Sequence, residues 1–169
     1  MLHLLFPRLT ARPKRGDELF QWVTAETRAP AWYVAGAVPD TVDGRFAILT
    51  TLTALILVRA DALGDAGSEV SVALTERFID AMKDEHRQMG LGDPTLGKVV
   101  QKLVGALARR VELWRGAVDG DWVATTRDSV YGSDDPMPEA LAFTAARLRA
   151  LWSRLDAAAI EAIASGAIA

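Results

Sequence analysis

The chain of 169 residues contains no cysteine. A disulfide framework, a thiolate metal site and a cysteine nucleophile are therefore excluded, and the absence fits a reducing compartment. Histidine is nearly as scarce, with only His3 and His86. A metal site needs three or four converging ligands. Asp84, Glu85, His86 and Asp93 are close in sequence, but neighbouring residues of a helix point in different directions. His86 is thus read as a surface or half-buried histidine. No Gly-x-Ser-x-Gly nucleophile elbow is present. Gly90, Gly92 and Gly97 lack both the preceding strand and the Gly-Lys-Ser/Thr ending of a phosphate-binding loop. Asp134 and Asp135 fall in a turn-rich stretch and read as solvated. So little catalytic chemistry points to a non-enzyme with no catalytic residues, no cofactor and no metal.

Long apolar runs are missing too. The longest, "FAILTTLTALILV" from Phe46 to Val58, includes Thr50, Thr51 and Thr53. A membrane span needs about 20 apolar residues, so this segment reads as a helix buried on most sides. The start, "MLHLLFPRLTARPKRG", has no basic region ahead of its short apolar run, Leu2 to Phe6. A secretory signal needs about 7–15 apolar residues there. Residues 1–16 are expected to form an arm that packs on the domain, with membrane or partner contact as the alternative. Net charge is −3 with both signs mixed. That argues against DNA binding driven by bulk charge but leaves room for a local basic stripe.

Half the residues are hydrophobic, enough for a sizeable core, and their spacing is helical nearly throughout. Residues 17–169 are expected to form one compact, all-α, single-domain bundle of about six to eight helices. Asp17 is expected to cap a helix reaching Thr27, and Pro30 to interrupt it. "AWYVAGAVPDT" reads as a short helix or irregular segment with Trp32 and Tyr33 packed inward. Thr41 or Asp43 caps the Phe46–Val58 helix, which ends near Leu63. Gly64 and Gly67 close it, and Ser68 caps the next. There Val70, Leu74, Phe78, Met82 and Met89 form an apolar stripe.

The most distinctive text is "MKDEHRQMGLGDPTLGKVVQKLVGALARR". Gly90 suits the left-handed residue that ends a helix. Asp93 suits the cap of the next, and Pro94 its first position. The apolar stripe then runs through Leu96, Val100, Leu103, Leu107, Val111, Trp114 and Val118. Asp119 to Asp121 breaks it. A short helix, a loop from Gly132 to Pro138 and a helix from Pro138 to Leu155 are expected to follow. Leu141, Ala145, Leu148 and Trp152 would face inward, with a short helix or frayed tail at the end. Lys98 and Lys102 share one helix face. Arg109 continues it, with Arg110 and Arg115 alongside. This is a basic ledge for an acidic partner, RNA or phospholipid headgroups, or else an ordinary solvated face.

Three motifs occur in order: Gly44-Arg45-Phe46 after an aromatic lead-in, "DEHRQMGLGD", and "KVVQKLVGALARRVELW". Across Trp32 to Val118 the chain resembles the ubiquinol–cytochrome c chaperone family, whose mitochondrial members are the Cbp3-like assembly factors of cytochrome bc1. Ala108-Arg109-Arg110 stands where the family has Gly-Arg, and Trp114 where Tyr is common. The last 50 residues carry none of these motifs. The resemblance implies a chaperone that binds newly made cytochrome b, with a small partner protein, near the ribosome. Richness in Ala, Arg and Leu reads as bacterial, which implies work in the cytoplasm at the inner face of the membrane. Trp32, Tyr33, Leu91 and Trp114 are candidate apolar anchors, with Trp32 and Trp114 read first as core residues. Arg87, Asp93, Lys98, Lys102, Arg109 and Arg110 are the candidate charged rim. Two other readings stand beside this one: a ribosome- or RNA-contacting scaffold, and a small lipid-binding helical domain.

Overall fold

A computed structural model describes residues 15–88, 90 and 93–168. The arm up to residue 14 with His3, the stripe residue Met89, the anchor Leu91, and the side chains of Asp93 and Pro94 lie outside the described part. The described residues are helical, with no strand among them.

Helix α1 spans Asp17–Thr27 and buries Leu19, Phe20 and Val23. Asp17 does not cap it. Gly16 holds the N-cap position in the left-handed region, at φ 79°. A Cβ there would lie 2.7 Å from the carbonyl oxygen of Ala73, so the close crossing with a later helix needs glycine. The Asp17 carboxylate instead accepts from Nε of Arg77. Helix α2, Pro30–Val34, starts on its proline, which needs no donor at that position.

Helix α3, Val42–Asp61, is the centre of the bundle. Thr41 caps it by accepting the Gly44 amide at 3.2 Å. Its threonines can be buried because their hydroxyls are satisfied. Thr50 donates to the Phe46 carbonyl at 2.7 Å and Thr53 to that of Leu49 at 2.8 Å. Bonding back within the helix removes the cost of burying a hydroxyl.

Helix α4 runs Gly64–Gln88, beginning before Ser68, which is therefore an interior residue and not a cap. Gly64, at φ 69°, makes the turn out of α3. Gly67 lies against α3, where a Cβ would sit 1.8 Å from the Ala60 carbonyl oxygen. It is a contact glycine and not a stop signal. Leu74, Phe78 and Met82 are buried, with Val70 partly so. Gly90, at φ 84°, closes the end as its sequence predicts.

Helix α5, Asp93–Arg115, buries Leu96, Val100, Leu107 and Trp114, with Leu103 and Val111 partly covered. Asp121 caps α6, Trp122–Thr126, accepting the amides of Val123 and Ala124 at 3.0 Å. A π-helical turn follows over Arg127–Tyr131. Helix α7 spans Pro138–Ala157. Leu141, Ala145 and Leu148 face inward, but Trp152 is only half-buried, and Leu151 and Leu155 take the deep positions. Helix α8, Ile160–Ala164, is not a frayed tail, since Ile163 and Ile168 are buried.

Candidate functional site

The exposed face of α5 carries the clearest unspent charge. Lys98, Lys102 and Arg109 are exposed, and among the described residues none has an ion-pair partner. Steps of four and seven keep them in one stripe, roughly 16 Å long at 1.5 Å per residue. Gly105 occupies the gap in that stripe. Only the Arg109 guanidinium comes near where its Cβ would be, at 3.7 Å.

Their neighbours differ. Arg110 turns inward, donating from Nε to the Ser129 carbonyl at 3.0 Å and from Nη1 to that of Ala106 at 3.3 Å. Burial, with a smaller push from the charge on Arg109, lowers its pKa from the usual arginine value. Arg115 is bound to Glu112 and Asp61, and Arg87 pairs with Asp84 at 3.5 Å. The ledge on α5 is thus three free cations beside two engaged arginines, and Arg87 on α4 is engaged as well.

Both candidate tryptophan anchors are core residues, each 0% exposed. Trp114 stacks obliquely on Trp122 at 5.0 Å and donates its indole hydrogen to Ser129 Oγ at 3.0 Å. Ser129 also shares a hydrogen with Thr51 of α3 at 2.7 Å. It is therefore a buried hub joining α3, α5 and the π turn, with no histidine or carboxylate among these partners to activate it. Sequence reasoning missed it, because no local pattern marks a serine as the meeting point of three segments. Trp32 donates to the Glu26 carbonyl at 2.9 Å. The Arg147 guanidinium lies 4.6 Å from its ring centroid while pairing with Glu26 at 2.6 Å. Neither tryptophan offers a partner a face.

Tyr33 does. It is half-buried, donates to the Thr27 carbonyl at 2.6 Å, and lies 5.9 Å from the Arg45 guanidinium. Burial raises its pKa from the ordinary tyrosine value, with Arg45 opposing. It lines a surface cleft of about 390 Å³ with Arg28, Pro30, Val34, Asp40 and Arg45. A second cleft, about 480 Å³, lies between α1, α4 and α8 over Leu19, Val70 and Ile160, with the Arg15–Glu69 pair among its lining. His86 is half-buried with Nδ1 2.8 Å from the Met82 carbonyl. No group of three or more metal-ligating side chains converges among the described residues. No described helix is long and apolar enough to cross a membrane.

The sequence profile described as Ubiquinol-cytochrome C chaperone matches residues 35–169. The chain belongs to the ubiquinol–cytochrome c chaperone family. Membership supports a chaperone role tied to complex III assembly, and a chaperone implies a client. The match runs on to the C-terminus, beyond the three motifs and past Val118, over the last 50 residues that carried none of them. Among solved structures, the fold is similar to the crystal structure of the Cbp3 homolog from Brucella abortus. The TM-score is 0.77 at 24% identity, covering 100% of this chain and 96% of that one. No curated protein matches the chain.

Proposed function

We propose that this chaperone binds newly synthesised cytochrome b and assists assembly of cytochrome bc1, in the cytoplasm at the inner face of the membrane, with no catalysis. Family membership supports the reading, and the unpaired stripe Lys98–Lys102–Arg109 is the observation that carries it. Three desolvable cations with no internal partner are available to set the orientation and on-rate of a client with acidic loops. Apolar contacts would supply the holding energy. A ribosome- or RNA-contacting role uses the same cations, and a small partner protein could share the surface.

The test is a pull-down of tagged protein from its native cells, probed for cytochrome b, in parallel with Lys98→Glu/Lys102→Glu. Capture by the wild type and its loss in the double variant, at unchanged thermal stability, is expected. Absence of cytochrome b, with normal bc1 levels in a deletion strain, would sink the reading. Salt separates the RNA alternative, since phosphate-driven binding falls steeply with ionic strength.

A further inference from the structure

The connection from α2 to α3 presents apolar side chains where a loop ordinarily presents polar ones. Val34 is 80% and Val42 84% exposed, more than the other exposed large hydrophobics, and Ala37 and Pro39 between them are exposed as well. Exposed apolar side chains clustered along one short stretch of chain are the kind of feature that marks an interaction site, and Val34 also lines a cleft. The backbone here is strained: Ala37 has φ 47°, in the left-handed region unfavourable for a residue with a Cβ. Strain of this kind persists only where surroundings impose it, and it concentrates at functional sites. The surroundings are explicit. Gly36 has no room for a side chain, since a Cβ would lie 2.5 Å from both Thr144 Oγ1 and the Trp32 carbonyl oxygen. Its own carbonyl accepts from the Tyr131 hydroxyl. The rim is therefore held before any partner arrives, which lowers the ordering cost of binding.

The cleft beside the rim defines the partner's chemistry. Pro30, Tyr33 and Val34 make its apolar wall. Asp40 is matched by Arg45 at 2.6 Å. Arg28 is exposed and has no ion-pair partner among the described residues. Arg45 is thus committed to Asp40, which leaves Arg28 as the lining cation of this cleft available to an acid. We infer that this rim is a second docking surface, which seats an apolar helix of the client with a carboxylate placed to meet Arg28. The inference rests on the client-binding reading above, and it adds where the client's apolar face is held. Anchors on a helix fit a groove beside exposed valines, with the charge setting register.

The experiment places the photo-crosslinker p-benzoylphenylalanine at position 42 or, separately, at position 98 of the full chain in native cells. Adducts are probed for cytochrome b. Cytochrome b is expected at position 42, falling about tenfold with Val34→Asp and severalfold with Arg28→Glu. Both changes are at exposed positions, and an unchanged melting temperature checks that the variants fold. Capture from position 98 but not 42 overturns this surface and leaves the client reading intact. Capture from neither overturns the client reading itself. Insensitivity to Arg28→Glu overturns the carboxylate assignment. Lipid adducts at position 42, or flotation with phosphatidylcholine–phosphatidylglycerol vesicles that Val34→Asp abolishes, would make the rim a membrane contact and overturn the proposal.

Discussion

The Tyr131 hydroxyl donates its hydrogen to the carbonyl oxygen of Gly36, 95 residues away in the chain. Thr144 completes the arrangement, its hydroxyl 2.8 Å from the same phenol oxygen. One bond thus ties the π turn and α7 to the strained loop that carries the exposed apolar rim. Replacing it by Tyr131→Phe leaves two buried groups short of a partner. The expected cost is about 1–3 kcal/mol, read by chemical denaturation, with faster hydrogen exchange at the Val38 amide. An unchanged midpoint would show that the bond contributes nothing.

Alkaline pH tests the same group. Burial pushes the Tyr131 phenol above its ordinary pKa, with the Thr144 hydrogen bond opposing, and Tyr33 is shifted the same way. These are the chain's two tyrosines. A folded-state value above the unfolded one, about 10, means the fold favours the protonated phenol. Its contribution is fully present below about pH 10 and is lost as pH rises through the folded value. Stability should therefore fall above about pH 10, less steeply in Tyr131→Phe. Equal slopes for the two proteins would contradict this.

Ser129 offers a second cut into the core. Ser129→Ala removes the acceptor for the Trp114 indole and the partner of Thr51. A loss of about 1–3 kcal/mol is expected, and Thr51→Val in the same background should recover part of it by removing the orphaned hydroxyl. If the double variant is no better than Ser129→Ala, the hub is not the cause.

Two glycines should respond in opposite senses. Gly67→Ala drives a methyl against the Ala60 carbonyl and should cost about 1–3 kcal/mol or more as overpacking. Gly97→Ala, on α5 with nothing within 4 Å of the added carbon, should stabilise by about 0.5–1 kcal/mol through helix propensity. Thermal melts of the pair decide it, and a stable Gly67→Ala would mean that α3 and α4 can separate at little cost.

Much of this was legible residue by residue. The steps of three and four from Leu96 to Trp114 fixed one face of α5, and Gly90 and Thr41 carried their helix boundaries in their own chemistry. Asp17 and Ser68 misled because both suit a cap locally. Gly16, pressed against Ala73, takes the N-cap position of α1 instead, and Gly64 turns the chain into α4 before Ser68 is reached. Val34 and Val42 look like core on a hydrophobicity scale, and only the path of the strained loop leaves them in solvent.

The sequence by itself determined that the chain is helical, that it has no cysteine thiol, and most of the residues with which each helix faces the core. Those properties depend on residue type and on spacing within one element. Tertiary structure alone decided which charges remain free and which aromatics stay covered. Arg115 finds Asp61 54 residues away, and Arg110 finds the Ser129 carbonyl on another segment, while Lys98 and Lys102 meet no described acid. A helix period fixes the direction in which a cation points, but only the packing of other helices decides whether a partner is waiting there.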